Sequence, residues 1–564
     1  MLQVLRCLVF TYNHLKTFFI HIWLMFKLVR RSSTLSVAAA SMHKLFKTIE
    51  NEVEDPLQGS VKGTIPLWVN GSLYRNGPGM YEVGEHKFNH WFDGMAMLQR
   101  FHISKGNVTY QRKFLRSDTF VKNTTSNRIT RNEFATTADP DPCKNIFQRF
   151  LSVFETDELT DNTLVNVFPL KDGLYTATEL VYLNKIDPET LDRVDKVDLE
   201  KKVGVNLATA HPHWDTDGNM YNIGHSFNRG LFTVLVKVPP KKDGVEGFPA
   251  GEIVFKTRSP WKLHFNYYHS FSMTENYYVF VQQPLLSNVP KILLGRKMGY
   301  AFDSSLTSYP EIKNRFRIVD RKTGEEVNAD HVIEADSFLF FHQINAYEEQ
   351  GHIILDIACH TDFKLLDRFY MKNLTSAQYE ENLRSLSEPE ARRYVIPLEL
   401  GQESKDGNIV SLEHTAAKCH RISGKAFHCE PERLADIGME FPQINYRKHN
   451  TKKYRYIYGV GLRHKQNPIN TLVKIDTFTK THREWKEDGC YPSEPVFVPE
   501  PGSDSEDGGV LVAAINRLGE SDNENSCFLL VLDAKSFTEM ARVEFKGVGR
   551  FPLDFHGVYT SDKN

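Results

Sequence analysis

The sequence predicts an all-β fold, a β-propeller with helical and loop insertions capping one face, on two observations. From about Asp55 onward, short apolar runs are separated by Gly, Asn, Asp and Pro turns, among them Asn70-Gly71, Asn76-Gly77-Pro78-Gly79, Asp172-Gly173 and Asp217-Gly218, with few uninterrupted helical periods. One unit then recurs. Ile186-Asp187-Pro-Glu-Thr190, Val319-Asp320-Arg-Lys-Thr323, Ile475-Asp476-Thr-Phe-Thr479 and Leu532-Asp533-Ala-Lys-Ser536 each close an apolar run with Asp and place Thr or Ser three residues on. An Asp at the start of a turn accepts from the backbone amides ahead of it, which fixes a hairpin. Four copies of one hairpin point to repeated antiparallel sheets converging on a central axis. The copies are unevenly spaced, which assigns the long insertions to one face. A large β-sandwich assembly with common Asp turns satisfies the same spacing.

Composition narrows the function classes. The chain has 564 residues, 41% hydrophobic, 12% aromatic and 25% charged, enough to bury a large core and unlike a disordered chain. A formal net charge of −2 gives no basic footprint for nucleic acid, and neither a Cys/His finger spacing nor a GxxxxGK phosphate loop occurs, so nucleic acid is not an expected partner. The seven cysteines (Cys7, Cys143, Cys359, Cys419, Cys429, Cys490 and Cys527) are odd in number, far apart and without C-x-x-C, as suits a reducing compartment.

Residues 1–49 read as a targeting leader and residues 50–564 as a single domain. Arg6, Lys16, Lys27, Arg30, Arg31, Lys44 and Lys47 precede the first acidic residue, Glu50, and serines and alanines cluster from Ser32 to Ser41, as in a mitochondrial transit peptide. Two rivals stand beside this: Thr17 to Leu28 has the apolar core of a signal peptide, and Met42 is a second candidate start. As a membrane span the segment is poor, because Asn13, His14, Lys16, His21 and Lys27 interrupt it.

Helical periodicity is confined to the insertions. Residues 143–154 place Ile146, Phe147, Phe150, Leu151, Val153 and Phe154 near one side, with Lys144, Gln148 and Arg149 elsewhere. Residues 285–297 form a second apolar and basic stretch. Either is satisfied as core; exposed together they make a peripheral membrane patch through which an apolar substrate enters. Residues 376–386 have the charged composition of a surface helix.

Four of the 22 histidines share one context, beside an aromatic or small residue in a strand-like run bounded by turns. They are His211 in Thr-Ala-His-Pro-His, His269 in Asn-Tyr-Tyr-His-Ser-Phe, His342 in Phe-Phe-His-Gln-Ile-Asn and His556 in Asp-Phe-His-Gly-Val. At His211, Pro212 cannot donate to a ladder and Asp217-Gly218 turns the chain, so the apolar run ends with the ring at its mouth. One such histidine alone reads as a hydrogen-bonded core residue. Separations of 58, 73 and 214 residues exclude a local zinc motif but suit ligands donated by separate sheets to a shared axis. An all-imidazole shell suits Fe, Zn, Cu or Ni. Metal-bound imidazoles usually give their second N–H to a carboxylate or carbonyl. Glu179, Glu440 and Glu494 lie in apolar or aromatic segments where an unpaired carboxylate is costly, and are candidates for that role or for solvated edges.

At this point the chain resembles a carotenoid cleavage oxygenase of the animal group that includes the carotene oxygenases and the retinoid isomerase of the eye. The likeness runs from about residue 50 onward. It rests on Gly71-Ser-Leu-Tyr-Arg-Asn-Gly-Pro-Gly79, Asn89-His-Trp-Phe-Asp-Gly94, Pro140-Asp-Pro-Cys-Lys144, Ala210-His-Pro-His213, Tyr268-His-Ser-Phe271, Phe341-His-Gln-Ile-Asn345, Glu440-Phe-Pro-Gln-Ile444, Tyr491-Pro-Ser-Glu-Pro495 and Phe555-His-Gly557. The resemblance implies a seven-bladed propeller holding one Fe(II) per chain on His211, His269, His342 and His556, with Glu179, Glu440 and Glu494 behind the rings. It also implies that Thr178 crowds the open iron position and that Tyr267 is an aromatic residue of the substrate tunnel. His90 and His213 fall in family motifs without being expected as ligands, and Cys143 lies in a membrane-associating stretch. The leader before Glu50 matches no family motif.

The expected activity is oxidative cleavage of a carotenoid double bond by O₂ to two apocarotenoid carbonyl products. Asn89 to Met97, Phe341 to Ala346, Tyr491 to Val498 and Glu506 to Gly509 look more similar to the eccentric 9′,10′-cleaving members, and the leader points the same way. Central 15,15′ cleavage to retinal, with or without isomerisation, comes next, then a retinyl-ester isomerohydrolase. A propeller that only binds carotenoid fits the fold, but not the full set of ligands and carboxylates.

Overall fold

The computed structural model describes residues 43–140, 159–242, 244, 247–375, 387–400, 407–463 and 467–562. The described chain is mostly β, and its strand pairings are antiparallel except where Val332–Ala335 runs parallel to Ala426–Glu430.

The four Asp units do what their sequence implies. Asp187 Oδ1 accepts from the amides of Glu189 and Thr190 (2.8 and 2.9 Å), Asp320 from Lys322 and Thr323 (2.8 Å each), Asp476 from Phe478 and Thr479 (3.0 and 3.2 Å), and Asp533 from Ser536 (2.6 Å). In every copy the residue four positions after the Asp has a left-handed backbone: Leu191, Gly324, Lys480 and Phe537, with φ of 58°, 70°, 58° and 61°. The units close comparable hairpins, such as Tyr182–Ile186 with Arg193–Asp198 and Asn467–Asp476 with Thr481–Lys486.

The two ends of the described chain are woven together. A five-stranded sheet runs in the order Val53–Gln58, Asn107–Phe114, Met95–Ser104, Gly71–Met80, His556–Ser561, while Ser60–Gly63 pairs with Thr538–Glu544 in a different sheet. Gly71–Met80 is buried along almost its whole length because it has a strand on either side. Its Gly77 has no room for a side chain, since an added Cβ would lie 2.3 Å from Asp554 Cα. Between these sheets Leu73, Phe101, Val512 and Leu529 form one apolar core. Truncating a ring such as Phe101 there costs about 3–5 kcal/mol.

Residues 43–49, the end of the expected leader, pack onto this body. Leu45, Phe46 and Ile49 are buried, Phe46 meets Trp91 edge-on at 5.6 Å, and Lys44 Nζ donates to the carbonyls of Gly519 and Glu520 (2.8 and 2.9 Å).

The longest described helices are Asp118–Ser126, capped by Ser117, and Val289–Met298, capped by Asn288 and ended by left-handed Gly299. Only the second half of the apolar and basic stretch 285–297 is helical, and its first half takes the core alternative. Leu285–Asn288 is a strand paired with His264–Asn266 and Leu306–Ser308; it buries Leu286 and packs Leu285 against Tyr267 and Leu339. Strand pairing has claimed the first half of the apolar run for the interior. The expected helices over 143–154 and 376–386 lie outside the described residues. No helix among the described residues is long and apolar enough to cross a membrane.

Candidate metal centre

Four irregular pieces of backbone deliver His211, His269, His342 and His556 to one point. His211 lies between the short strands Leu207–Ala208 and His213–Trp214, His269 between His264–Asn266 and Ser272–Met273, and His556 opens its strand. His342 lies within Leu339–Glu349, where the register shifts between Phe340 and Gln343. Bulges and strand ends re-aim a side chain away from the ladder while the sheet keeps it rigid. One nitrogen from each ring lies within 4.8 Å of the other three. The closest pairs are His211 Nε2 to His269 Nε2 at 2.9 Å and His342 Nε2 to His556 Nε2 at 3.3 Å.

Three rings are backed by carboxylates on their far side. His342 Nδ1 is 2.6 Å from Glu440 Oε2, His556 Nδ1 is 2.9 Å from Glu494 Oε1, and His269 Nδ1 meets Glu179 Oε1. With Nδ1–H donated outward, each of those Nε2 atoms turns a lone pair inward. Lone pairs converging at about 3 Å repel unless a cation lies between them. Nitrogens bound to one ion at about 2.0–2.1 Å fall about 3–4 Å apart, so this donor set fits a first-row metal.

Burial works against charge here. It holds the His211 ring well below the ordinary imidazole range, with the neighbouring histidines adding to the effect. Burial likewise lowers His269 and His556, against the pull of Glu179 and Glu494. For Glu440 burial favours the neutral acid, but His342 and His360 override it and hold the carboxyl well below its usual range. Glu494 is lowered in the same way, against burial, by His556 and Arg75. Burial thus favours the neutral form of His211, His269 and His556, while Glu440 and Glu494 are held as carboxylates.

The centre opens on an apolar cavity whose wall includes Trp91, Phe92, Phe302, Phe341, Phe369 and Phe555, together with His269, His342 and His556. Phe341 contacts the His269 ring at 5.0 Å, and Phe441 contacts His342 and His556 at 5.7 and 5.5 Å. Phe441 carries a left-handed backbone (φ 53°) where the pairing of Glu440 shifts register, an uncommon conformation for a bulky residue that sets its ring against the histidines.

A family model described as retinal pigment epithelial membrane protein matches residues 46–561. The chain belongs to this family. It is 42% identical over 528 residues, 92% of this chain and 96% of the relative, to the mitochondrial carotenoid-cleaving dioxygenase of Mustela putorius furo. It is 40% identical over 532 residues, 92% of each chain, to the β,β-carotene 15,15′-dioxygenase of Rattus norvegicus. Among solved structures, cobalt-substituted Synechocystis apocarotenoid oxygenase has a TM-score of 0.71 at 21% identity, covering 94% of this chain and 99% of that one, a likeness of fold.

For this member of the family, the structure brings every sequence-predicted site residue to the centre or its cavity. Thr178 and Glu179 line the cavity, as does Tyr267. Tyr267 is more than a wall ring: its hydroxyl donates to the Glu179 carboxylate (2.7 Å to each oxygen) and lies 3.1 Å from His269 Nδ1. His90 and His213 stand apart from the cluster. His90 accepts the Phe92 amide at 3.1 Å and reaches Leu366 O at 3.0 Å, while His213 bridges Tyr446 Oη and Phe271 O at 2.8 Å each.

Sequence reasoning missed two supports. His360 Nε2 lies 2.5 Å from Glu440 Oε1, so Glu440 joins two rings; His360 ends the strand paired with the one that carries His342. Arg75, wholly buried, donates to both oxygens of Asp554 (2.6 and 2.7 Å) and to Glu494 O (2.9 Å), and Gln99 also donates to Asp554 (2.7 Å). A buried arginine in Gly71-Ser-Leu-Tyr-Arg-Asn-Gly-Pro-Gly79 was the available signal, because such an ion needs a partner.

Proposed function

We propose that this chain is a non-haem iron dioxygenase that cleaves a carotenoid C=C bond with O₂, placing one oxygen atom in each of two apocarotenoid carbonyl products. The observation that carries it is the convergence of four imidazoles on an aromatic cavity, three of them backed by carboxylates. His211, His269, His342 and His556 would hold Fe(II), which supplies O₂ chemistry that no side chain here provides. Glu179, Glu440 and Glu494 each keep one ring in the tautomer that presents Nε2, and their negative charge offsets the metal's. Thr178, at the wall beside Glu179, narrows the space next to the rings, and Tyr267 fixes the Glu179 carboxylate. The aromatic wall excludes water and aligns a rigid polyene. No side chain is assigned a proton-transfer step.

The relatives' names and the cavity chemistry support the reaction class. For the bond cleaved, we favour 9′,10′ on the likeness of residues 89–97, 341–346 and 491–498 to eccentric cleavers. The similar identity to the rat 15,15′ enzyme keeps central cleavage as the second reading. Product analysis with β-carotene decides: two unequal carbonyl fragments support 9′,10′, and retinal alone supports 15,15′. The mitochondrial name of the ferret relative and the basic leader support a mitochondrial location, tested by fractionating cells that express the full chain.

We further read residues 50–564 as one seven-bladed propeller domain, in which the seven-stranded sheet supplies two blades, divided between Glu390–Pro397 and Glu432–Gln443. Peripheral membrane contact through residues 143–154 remains part of this reading. A chain lacking residues 1–41 is expected to float with liposomes, and Phe147→Asp with Phe150→Asp to sink while keeping its metal. Equal flotation of both chains removes that segment as the docking surface.

A further inference from the structure

Three buried carboxyls, Asp93, Glu133 and Asp161, interact with one another at the edge of the cavity, and two of them are fully occupied. Asp93 accepts from Thr136 Oγ1 (2.5 Å) and from the amides of Ala135 and His90 (2.8 and 2.9 Å). Asp161 accepts from the amide and hydroxyl of Thr119 (2.9 and 2.7 Å), the amide of Asp118 (2.9 Å) and Arg193 Nη1 (3.2 Å). Glu133 differs. It is 5% exposed and pairs with no cation among the described residues; its neighbours are Thr160 Oγ1 at 2.7 Å and the Asn162 side chain. Of the three, Glu133 alone lines the cavity.

The neighbours decide the protonation state. Thr160 Oγ1 accepts the Asn162 amide (3.2 Å) and lies within hydrogen-bond distance of both Glu133 Oε1 (2.7 Å) and Thr119 Oγ1 (3.2 Å). A buried carboxyl without a cation stays neutral, and burial, with Asp93 and Asp161 adding, pushes Glu133 well above the usual carboxylate range. A neutral Glu133 keeps one acid hydrogen, which makes it a donor in a wall that also carries Phe92, Phe134 and Phe302. Ring contacts of 5.5, 6.3 and 5.0 Å lead from the adjacent Phe134 through Phe92 and Phe341 to His269. This part of the wall is several rings removed from the histidines, where the end of a long polyene lies rather than its reacting bond.

We propose that Glu133 is a specificity-determining residue, a carboxylic acid that donates a hydrogen bond to a hydroxyl or carbonyl oxygen on the polyene's end ring, so that the cavity prefers oxygenated polyenes over hydrocarbons. The inference rests on the proposed function, and adds to it a recognition element for one end of the substrate. A site built to hydrogen-bond a polar group discriminates strongly against the analogue that lacks it.

The test compares zeaxanthin, hydroxylated on both rings, with β-carotene, using full-length metal-loaded protein. Glu133→Leu is expected to lower kcat/KM for zeaxanthin about tenfold relative to β-carotene, the scale of one lost hydrogen bond. Glu133→Gln, isosteric with the neutral acid and still a donor, is expected to keep most of the preference. An unchanged ratio in Glu133→Leu overturns the inference while leaving the proposed function standing; absence of cleavage of either polyene by the unsubstituted protein overturns the proposed function first. Should Glu133→Leu fail to fold, infrared difference spectra of the unsubstituted protein decide. The C=O stretch of a protonated carboxyl, assigned by its loss in Glu133→Gln, is expected to shift on adding zeaxanthin and not β-carotene. A band that is missing, or that moves with neither or both, overturns the assignment.

Discussion

His211 and His342 lie one ring contact apart, at 5.1 Å, yet they are held by different means. His342 projects from a bulge and is oriented through its side chain, with Nδ1 on Glu440, itself tied to His360. For His211 the holding contacts are on its backbone. Its amide donates to Thr209 Oγ1 at 3.3 Å, Asn166 donates to the preceding carbonyl of Ala210 at 2.8 Å, and Pro212 restricts the residue before it. A ring oriented by another side chain depends on that one partner. A ring oriented by a stretch of backbone spreads its dependence over several modest contacts.

Removing either imidazole should erase this difference. His342→Ala and His211→Ala are each expected to weaken metal retention more than about 100-fold, above the range for losing an outer partner, read as iron per chain after gel filtration. Full iron in either variant takes that histidine out of the ligand set. The next largest effect is on folding. Arg75→Met leaves Asp554 buried without its cation beneath His556, and about 3–5 kcal/mol of stability should be lost in denaturant titration. Glu440→Gln tests the side-chain-held ring directly, with metal retention or turnover expected to fall about 10–100-fold while the fold persists. Tyr267→Phe, which removes one hydroxyl from Glu179, should cost about fivefold in turnover. Smallest of all should be Thr209→Val, expected to change metal retention by less than about fivefold: its contact to the His211 amide is long, and Asn222 Oδ1, which loses the Thr209 hydroxyl, keeps the Ile223 amide. If Thr209→Val proves as damaging as Glu440→Gln, the contrast between the two ways of holding a ring is lost.

The parts legible in sequence were those written locally or by chemical type. The Asp units were readable because four residues contain the whole hydrogen-bond pattern, and the four histidines because turns and aromatic neighbours marked them. The resemblance then supplied the metal. His360 was not legible, since its role depends on a strand pairing that places it opposite Leu339. Nor was the left-handed backbone of Phe441, which arises where the pairing of its strand shifts register. Residues 285–297 stayed open between core and membrane patch because hydropathy does not record that Leu285 and Leu286 pair inward before the helix begins. Glu133 carries no local signal, because a carboxyl is unusual only once its surroundings are known to lack a cation.

The woven ends have a consequence for when the centre comes into being. His556 opens a strand that pairs with Asn76, and the Arg75–Asp554 contact beside it joins residues 479 positions apart. Contacts so distant along the chain carry a high closure entropy and form slowly. Sheets that close locally can therefore mature while the fourth ligand is still missing. Because an ion favours the state that binds it by RT ln(1 + [L]/Kd), a metal held by the four histidines would act as a latch on this late step. In metal-starved protein, hydrogen exchange should be fastest to rise along His556–Ser561 and its partner Gly71–Met80, the seam where the molecule would first come undone.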